Sequence, residues 1–141
     1  MTVGTAGLPW SLEIRSNTDG LNAGELRRRV MRTLRAKAAG EPLDFDAVEA
    51  ILGELLANVF KYAPGAFELR LAGRPGGRTT LEVRDGGPAF AFPPPLRSLS
   101  EPGGHGLRLA AALARDFNVA HEAGAGNRVT VVLPRVSEPN G

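Results

Sequence analysis

The chain has 141 residues, with 17 Lys+Arg against 15 Asp+Glu, two His and no Cys, a length that suits one domain around one core. A hydrophobic content of 43% excludes the disordered class, and the lack of Cys excludes disulfide frameworks, zinc fingers, iron–sulfur ligation and thiol catalysis. No apolar run approaches the roughly 18–20 residues that span a bilayer, and the first ten residues lack the pattern of an export signal, so a soluble, cytoplasmic protein without membrane contact is expected.

In chain order, Leu12 to Ser16 alternate apolar and polar and read as a short strand. Asn22, three residues before Glu25, opens a helix in a capping-box pattern, with Leu26, Val30, Leu34 and Ala38 as its apolar stripe. Gly40-Glu41-Pro42 stops it. Asp44 or Asp46 caps a second helix that runs to about Tyr62 and ends at Pro64-Gly65, with Val48, Ile51, Leu52, Leu55, Leu56 and Val59 facing the core. Phe67, Leu69 and Leu71, then Leu81 and Val83, mark a hairpin turned by Arg74-Pro75-Gly76-Gly77. Residues 86–104 read as one long loop carrying Pro88, Pro93, Pro94, Pro95 and Pro102, and a connection of that length is usually functional. Leu107, Leu109, Ala110, Leu113 and Ala114 mark a third helix, and Phe117–His121 and Val129–Leu133 close the chain as strands around Gly124-Ala125-Gly126. The order β-α-α-β-β-loop-α-β-β predicts an α+β, two-layer sandwich: a mixed sheet covered on one face by about three helices. Residues 1–141 form one domain in this reading, with its core at about 12–134 and a tail at 135–141.

Three clusters carry chemistry. On the second helix Glu54, Asn58 and Lys61 fall within about 60° of one another at the edge of the apolar stripe, so a carboxylate, an amide and an ammonium would line one wall of a cleft. At the end of a strand, Asp85 is followed by Gly86 and Gly87, where a carboxylate beside bare backbone can accept a hydrogen bond from an exocyclic amine while a flat ring approaches. Gly103-Gly104-His105-Gly106-Leu107 precedes the third helix, where outward N–H groups and the helix dipole suit phosphate. Each of these also has a plain reading, as a polar helix flank, an Asp-Gly turn and a glycine-rich helix start.

Taken in order, Glu54-x-x-x-Asn58, Asp85-x-Gly87 and Gly104-x-Gly106-Leu107 resemble the N, G1 and G2 boxes of the GHKL (Bergerat-fold) ATP-binding family. Within that family the arrangement is most similar to the bacterial anti-sigma-factor serine/threonine kinases. The resemblance implies that Asp85 takes the adenine amino group, with Gly87 making room for the ring, and that Asn58 holds Mg²⁺. It further implies that Glu54 is the general base, and that Gly104, His105, Gly106 and Leu107 belong to the lid over the phosphates. Lys61 adds positive charge there, and Thr130 stands where the last strand of the family carries its final nucleotide motif. Two positions depart from the pattern: Ala89 replaces the third glycine of the G1 box, and Gly126-Asn127 replaces the usual glycine–threonine pair.

The function so implied is an ATP- and Mg²⁺-binding regulator that phosphorylates a Ser or Thr on a STAS-type antagonist and sequesters a sigma factor or similar regulator, with a homodimer as one assembly. Two rival readings are a non-catalytic nucleotide-binding interaction module and the ATP-binding domain of a histidine kinase. The pI of 9.7 at a net charge of only +2 reflects basic residues that are all Arg except Lys37 and Lys61. Many of them (Arg27, Arg28, Arg29, Arg32, Arg35) cover the polar face of the first helix, as a solvated surface or a docking site for an acidic protein. One Trp, one Tyr and six Phe leave little aromatic interleaving for bases, so nucleic acid is disfavoured. His121 alternates with Val119 as an ordinary sheet residue, and two His without Cys argue against a transition-metal site.

Overall fold

Strand β1 (Trp10–Asn17) leads into helix α1 (Ala23–Lys37), helix α2 (Phe45–Tyr62), strands β2 (Ala66–Gly73) and β3 (Thr79–Asp85), helix α3 (His105–Leu113), and strands β4 (Asp116–Glu122) and β5 (Gly126–Val132). The computed structural model describes residues 8–88 and 105–136, with His105 and Gly106 described as backbone. Local chemistry accounts for the helix ends. Asn22 sits in extended conformation and its Oδ1 accepts the Glu25 N–H at 3.1 Å, and Asp44 rather than Asp46 caps α2 by accepting the Ala47 N–H at 3.1 Å. The six expected core residues of α2 are all buried, and α1 buries Met31 beside Leu26, Val30 and Leu34.

The strands form one sheet in the order β1-β2-β3-β5-β4, and every neighbouring pair is antiparallel. The two-layer α+β architecture is as expected, but the sheet is not mixed. The connection from β3 through α3 to β4 does bring back a strand running the same way. The β4–β5 hairpin then folds inward, so β5 lies between the two parallel strands and separates them.

The period of two divides the sheet into unlike faces. Leu69, Leu71, Leu81, Val83, Val129 and Val131 lie under the helices, and each such side chain contributes roughly 1.5–3 kcal/mol when fully buried. The other face is a lattice of charges. Arg70 bonds Glu13 at 2.9 Å and Glu68 at 3.2 Å, Arg15 lies 3.3 Å from Glu68, and Arg128 lies 3.7 Å from both Glu82 and Glu122. The hydrogen bond from Arg70 holds the Glu13 carboxyl below the usual carboxylate range. Exposed pairs of this kind contribute little, so stability rests on the helix-side face. Among the described residues, no helix is long and apolar enough to cross a membrane.

Candidate functional site

Strand β3 places Leu81, Val83 and Asp85 on the helix side, so its last inward position carries a carboxylate instead of an aliphatic chain. Asp85 is only 5% exposed. A carboxylate at that depth requires hydrogen-bond donors, and two are present. Its Oδ1 accepts the Gly87 N–H at 2.8 Å and the Asn127 Nδ2–H at 2.9 Å. Among the described residues no donor reaches Oδ2.

Bare backbone surrounds this carboxylate. A Cβ on Gly87 would lie 2.6 Å from the Cβ of Ala63, the residue that caps the C-terminus of α2, so only glycine lets the β3 exit rest on that helix. Gly126 has φ +97°, and a Cβ there would run into the carbonyl oxygen of Asp85. The close approach of Gly87 to Ala63 ties the carboxylate end of the site to the end of α2 that carries Lys61.

On α2, Glu54 and Asn58 are half-buried and Lys61 is exposed. The Arg27 side chain of α1 packs on Gly53, where a Cβ would meet its Nη1 at 2.9 Å. Lys61, Glu54 and Asn58 lie about 80°, 100° and 140° around the helix from Gly53, so the flank they share is turned to the side of the α1 contact. Helix α3 packs on α2 as well. The amide of Asn58 and the carboxylate of Glu54 make no hydrogen bond among the described residues, while Lys61 Nζ sits 5.2 Å from the centroid of the Tyr62 ring.

The remaining expected site residues are distributed unequally. Leu107 is 5% exposed within the hydrophobic core, where it anchors α3. His105 and Gly106 are the first two residues of that helix, whereas Ala89 and Gly104 lie outside the described residues. Thr130 does not join the site. It pairs with Glu82 and Asn118 on the charged face of the sheet, because it alternates with the buried Val129 and Val131. Asn127, with the same parity as those valines, is the residue of β5 that reaches Asp85. That alternation was the sequence signal for Asn127. Its contact with Asp85 had no such signal, since it depends on β5 pairing with β3.

A family model for the histidine kinase-like ATPase domain matches residues 16–133. The chain belongs to that family. No curated protein matches it. ATP is the nucleotide these domains bind, generally with Mg²⁺, and the side chains present suit both. Asp85 offers an acceptor to an amino-bearing base. Asn58 and Glu54 offer hard oxygen donors, and no group of three or more Asp, Glu, His or Cys among the described residues forms a cage of its own. Such a sparse set fits Mg²⁺, which keeps several waters and is shared between one or two side chains and substrate phosphates.

Proposed function

We propose that this ATPase-family domain is a protein serine/threonine kinase of the anti-sigma-factor kinase type, acting on a STAS-type antagonist and sequestering a sigma factor or similar regulator. The observation that carries the reading is the pairing of a buried, pre-bonded Asp85 with a Glu54 and an Asn58 that make no hydrogen bond among the described residues, on the helix to which the Asp85 turn is docked. In this reading Oδ2 of Asp85 receives the amino group of adenine. Asn58 would hold Mg²⁺, which supplies neutralisation of phosphate charge when bound, and Lys61 adds a cation at the same wall. Glu54 orients the attacking hydroxyl and accepts its proton, as phosphoryl transfer otherwise depends on positioning and charge. For the partner, α1 and α2 together offer a groove of about 300 Å³ lined by Arg28, Met31, Arg32, Arg35 and Glu49. Its excess of guanidinium groups favours an acidic protein surface.

The test is transfer of labelled γ-phosphate from ATP to candidate STAS-type proteins. Label should appear on Ser or Thr with the wild type and not with Glu54→Gln. ATP binding without transfer to any such protein would turn the reading to a non-catalytic module, and label on His would turn it to a histidine kinase.

A further inference from the structure

One row of side chains crosses three strands on the helix side of the sheet: Asp85 on β3 faces Asn127 on β5, which faces His121 on β4. The orientation of the Asn127 amide follows from its neighbours. Its nitrogen lies against three oxygens, Asp85 Oδ1 at 2.9 Å, Pro88 O at 2.9 Å and Gly87 O at 3.3 Å. Only an NH₂ group suits a surrounding made of acceptors alone, its two hydrogens shared among the three oxygens, so the amide oxygen must point to the other side. There it meets His121 Nδ1 at 3.0 Å. An oxygen cannot donate, and the proton on that contact is therefore carried by Nδ1. Asn127 is 3% exposed, so a misdirected amide could not turn to water.

We infer that Asn127, oriented by His121, is a positioning residue for base recognition: with the Gly87 N–H it occupies Oδ1 of Asp85 and leaves Oδ2 as the acceptor for an amino-bearing purine. The inference rests on the reading of Asp85 as the base-recognising carboxylate. Without Asn127 the carboxylate keeps one donor, rotates more freely about χ2, and divides its acceptors between solvent and ligand. His121 acts one step further out. Its N–H holds the amide in the donating orientation and polarises it, which strengthens the bonds on the Asp85 side. Neither residue touches the ligand in this account.

A ligand-side deletion separates positioning from general support. Calorimetric titration compares ATP with purine riboside triphosphate, which carries hydrogen in place of the 6-amino group. The wild type should prefer ATP by about 10–100-fold, the range expected for one hydrogen bond to a charged group. In Asn127→Ala that preference should fall to within about threefold, and in His121→Phe it should fall several-fold from the wild-type ratio, in both cases because Asp85 no longer holds Oδ2 toward the amino group. Asn127→Thr, whose hydroxyl can still donate to Oδ1, should keep most of it. A purely structural role predicts something else: both nucleotides weaken together and the ratio stays at its wild-type value. That result in folded Asn127→Ala or in His121→Phe overturns the inference. Should Asn127→Ala fail to fold, His121→Phe decides alone, since its side chain is exposed and its backbone pairing is retained. A wild type that binds ATP no better than the analogue overturns the reading of Asp85, and this inference with it. A wild-type preference that persists unchanged in His121→Phe leaves that reading standing and removes only the positioning role.

Discussion

Asp85 and Glu54 are both carboxylates at the margin of the core, yet their surroundings have little in common. Asp85 ends a strand, is bonded through Oδ1 to Gly87 and Asn127, and lies against glycine backbone on two sides. Glu54 stands on a helix flank with Asn58 and Lys61, and neither it nor Asn58 is bonded to a side chain among the described residues. The first end is finished before a ligand arrives, because its donors belong to β5 and to the turn that leaves β3. The second makes no such bond among the described residues, as the proposed roles toward phosphate, metal and an incoming hydroxyl require. The contrast predicts which substitutions disturb stability and binding together and which disturb chemistry alone.

The largest expected effect is on rate. Glu54→Gln should lower phosphotransfer by about 10²–10⁴-fold, the usual contribution of a positioned general base. With no bond to lose among the described residues, its ATP affinity should stay within about twofold, a difference of less than half a kcal/mol. A comparable loss in binding or a lower melting temperature would place Glu54 among the structural carboxylates and erase the contrast. Asn58→Ala should weaken ATP by about 10-fold or more in Mg²⁺, if one contact to a charged group is lost, and leave binding in EDTA nearly unchanged. Equal weakening in both media would assign Asn58 to something other than the metal.

At the other end, Gly126→Ala should reduce stability and binding at once. The new Cβ meets the Asp85 carbonyl and the residue must keep φ +97°. A cost of about 2 kcal/mol or more follows, and a fall in melting temperature of roughly 10 °C, with weaker ATP binding as β5 shifts from β3. Unchanged affinity in the folded variant would show that the Asp85 end tolerates movement. The smallest effect belongs to the open face of the sheet. The Glu13 carboxyl is held low by Arg70, so its contribution is present above the unfolded carboxylate pKa and is lost as pH falls through the lower folded value. Arg70→Gln should therefore remove a small stability increment at neutral pH and leave the melting temperature at strongly acid pH unaltered; the reverse pattern would contradict the assignment.

Local signals in the sequence account for much of the fold. Asn22 and Asp44 cap helices as their side chains require, the apolar spacing on α2 marks its buried stripe, and alternation marks β2 and β3. Strand order was not legible, because the insertion of β5 between β3 and β4 is a pairing of distant segments with no local signature. The same gap hid the row Asp85–Asn127–His121. Asn127 reads as a departure from a glycine–threonine pattern and His121 as a routine strand residue until the register sets them side by side. Motif position alone assigns Thr130 to the site, whereas its alternation with Val129 and Val131 turns it toward the charged face.

The claim on which the account depends is that Asp85 is the acceptor for the adenine amino group, and titrating ATP into wild type and Asp85→Asn by calorimetry tests it most directly. The account predicts binding by the wild type and a loss of at least about 10–100-fold in Asp85→Asn, from removal of a charged acceptor. Asp85→Asn that stays folded and binds ATP as tightly as the wild type would contradict it.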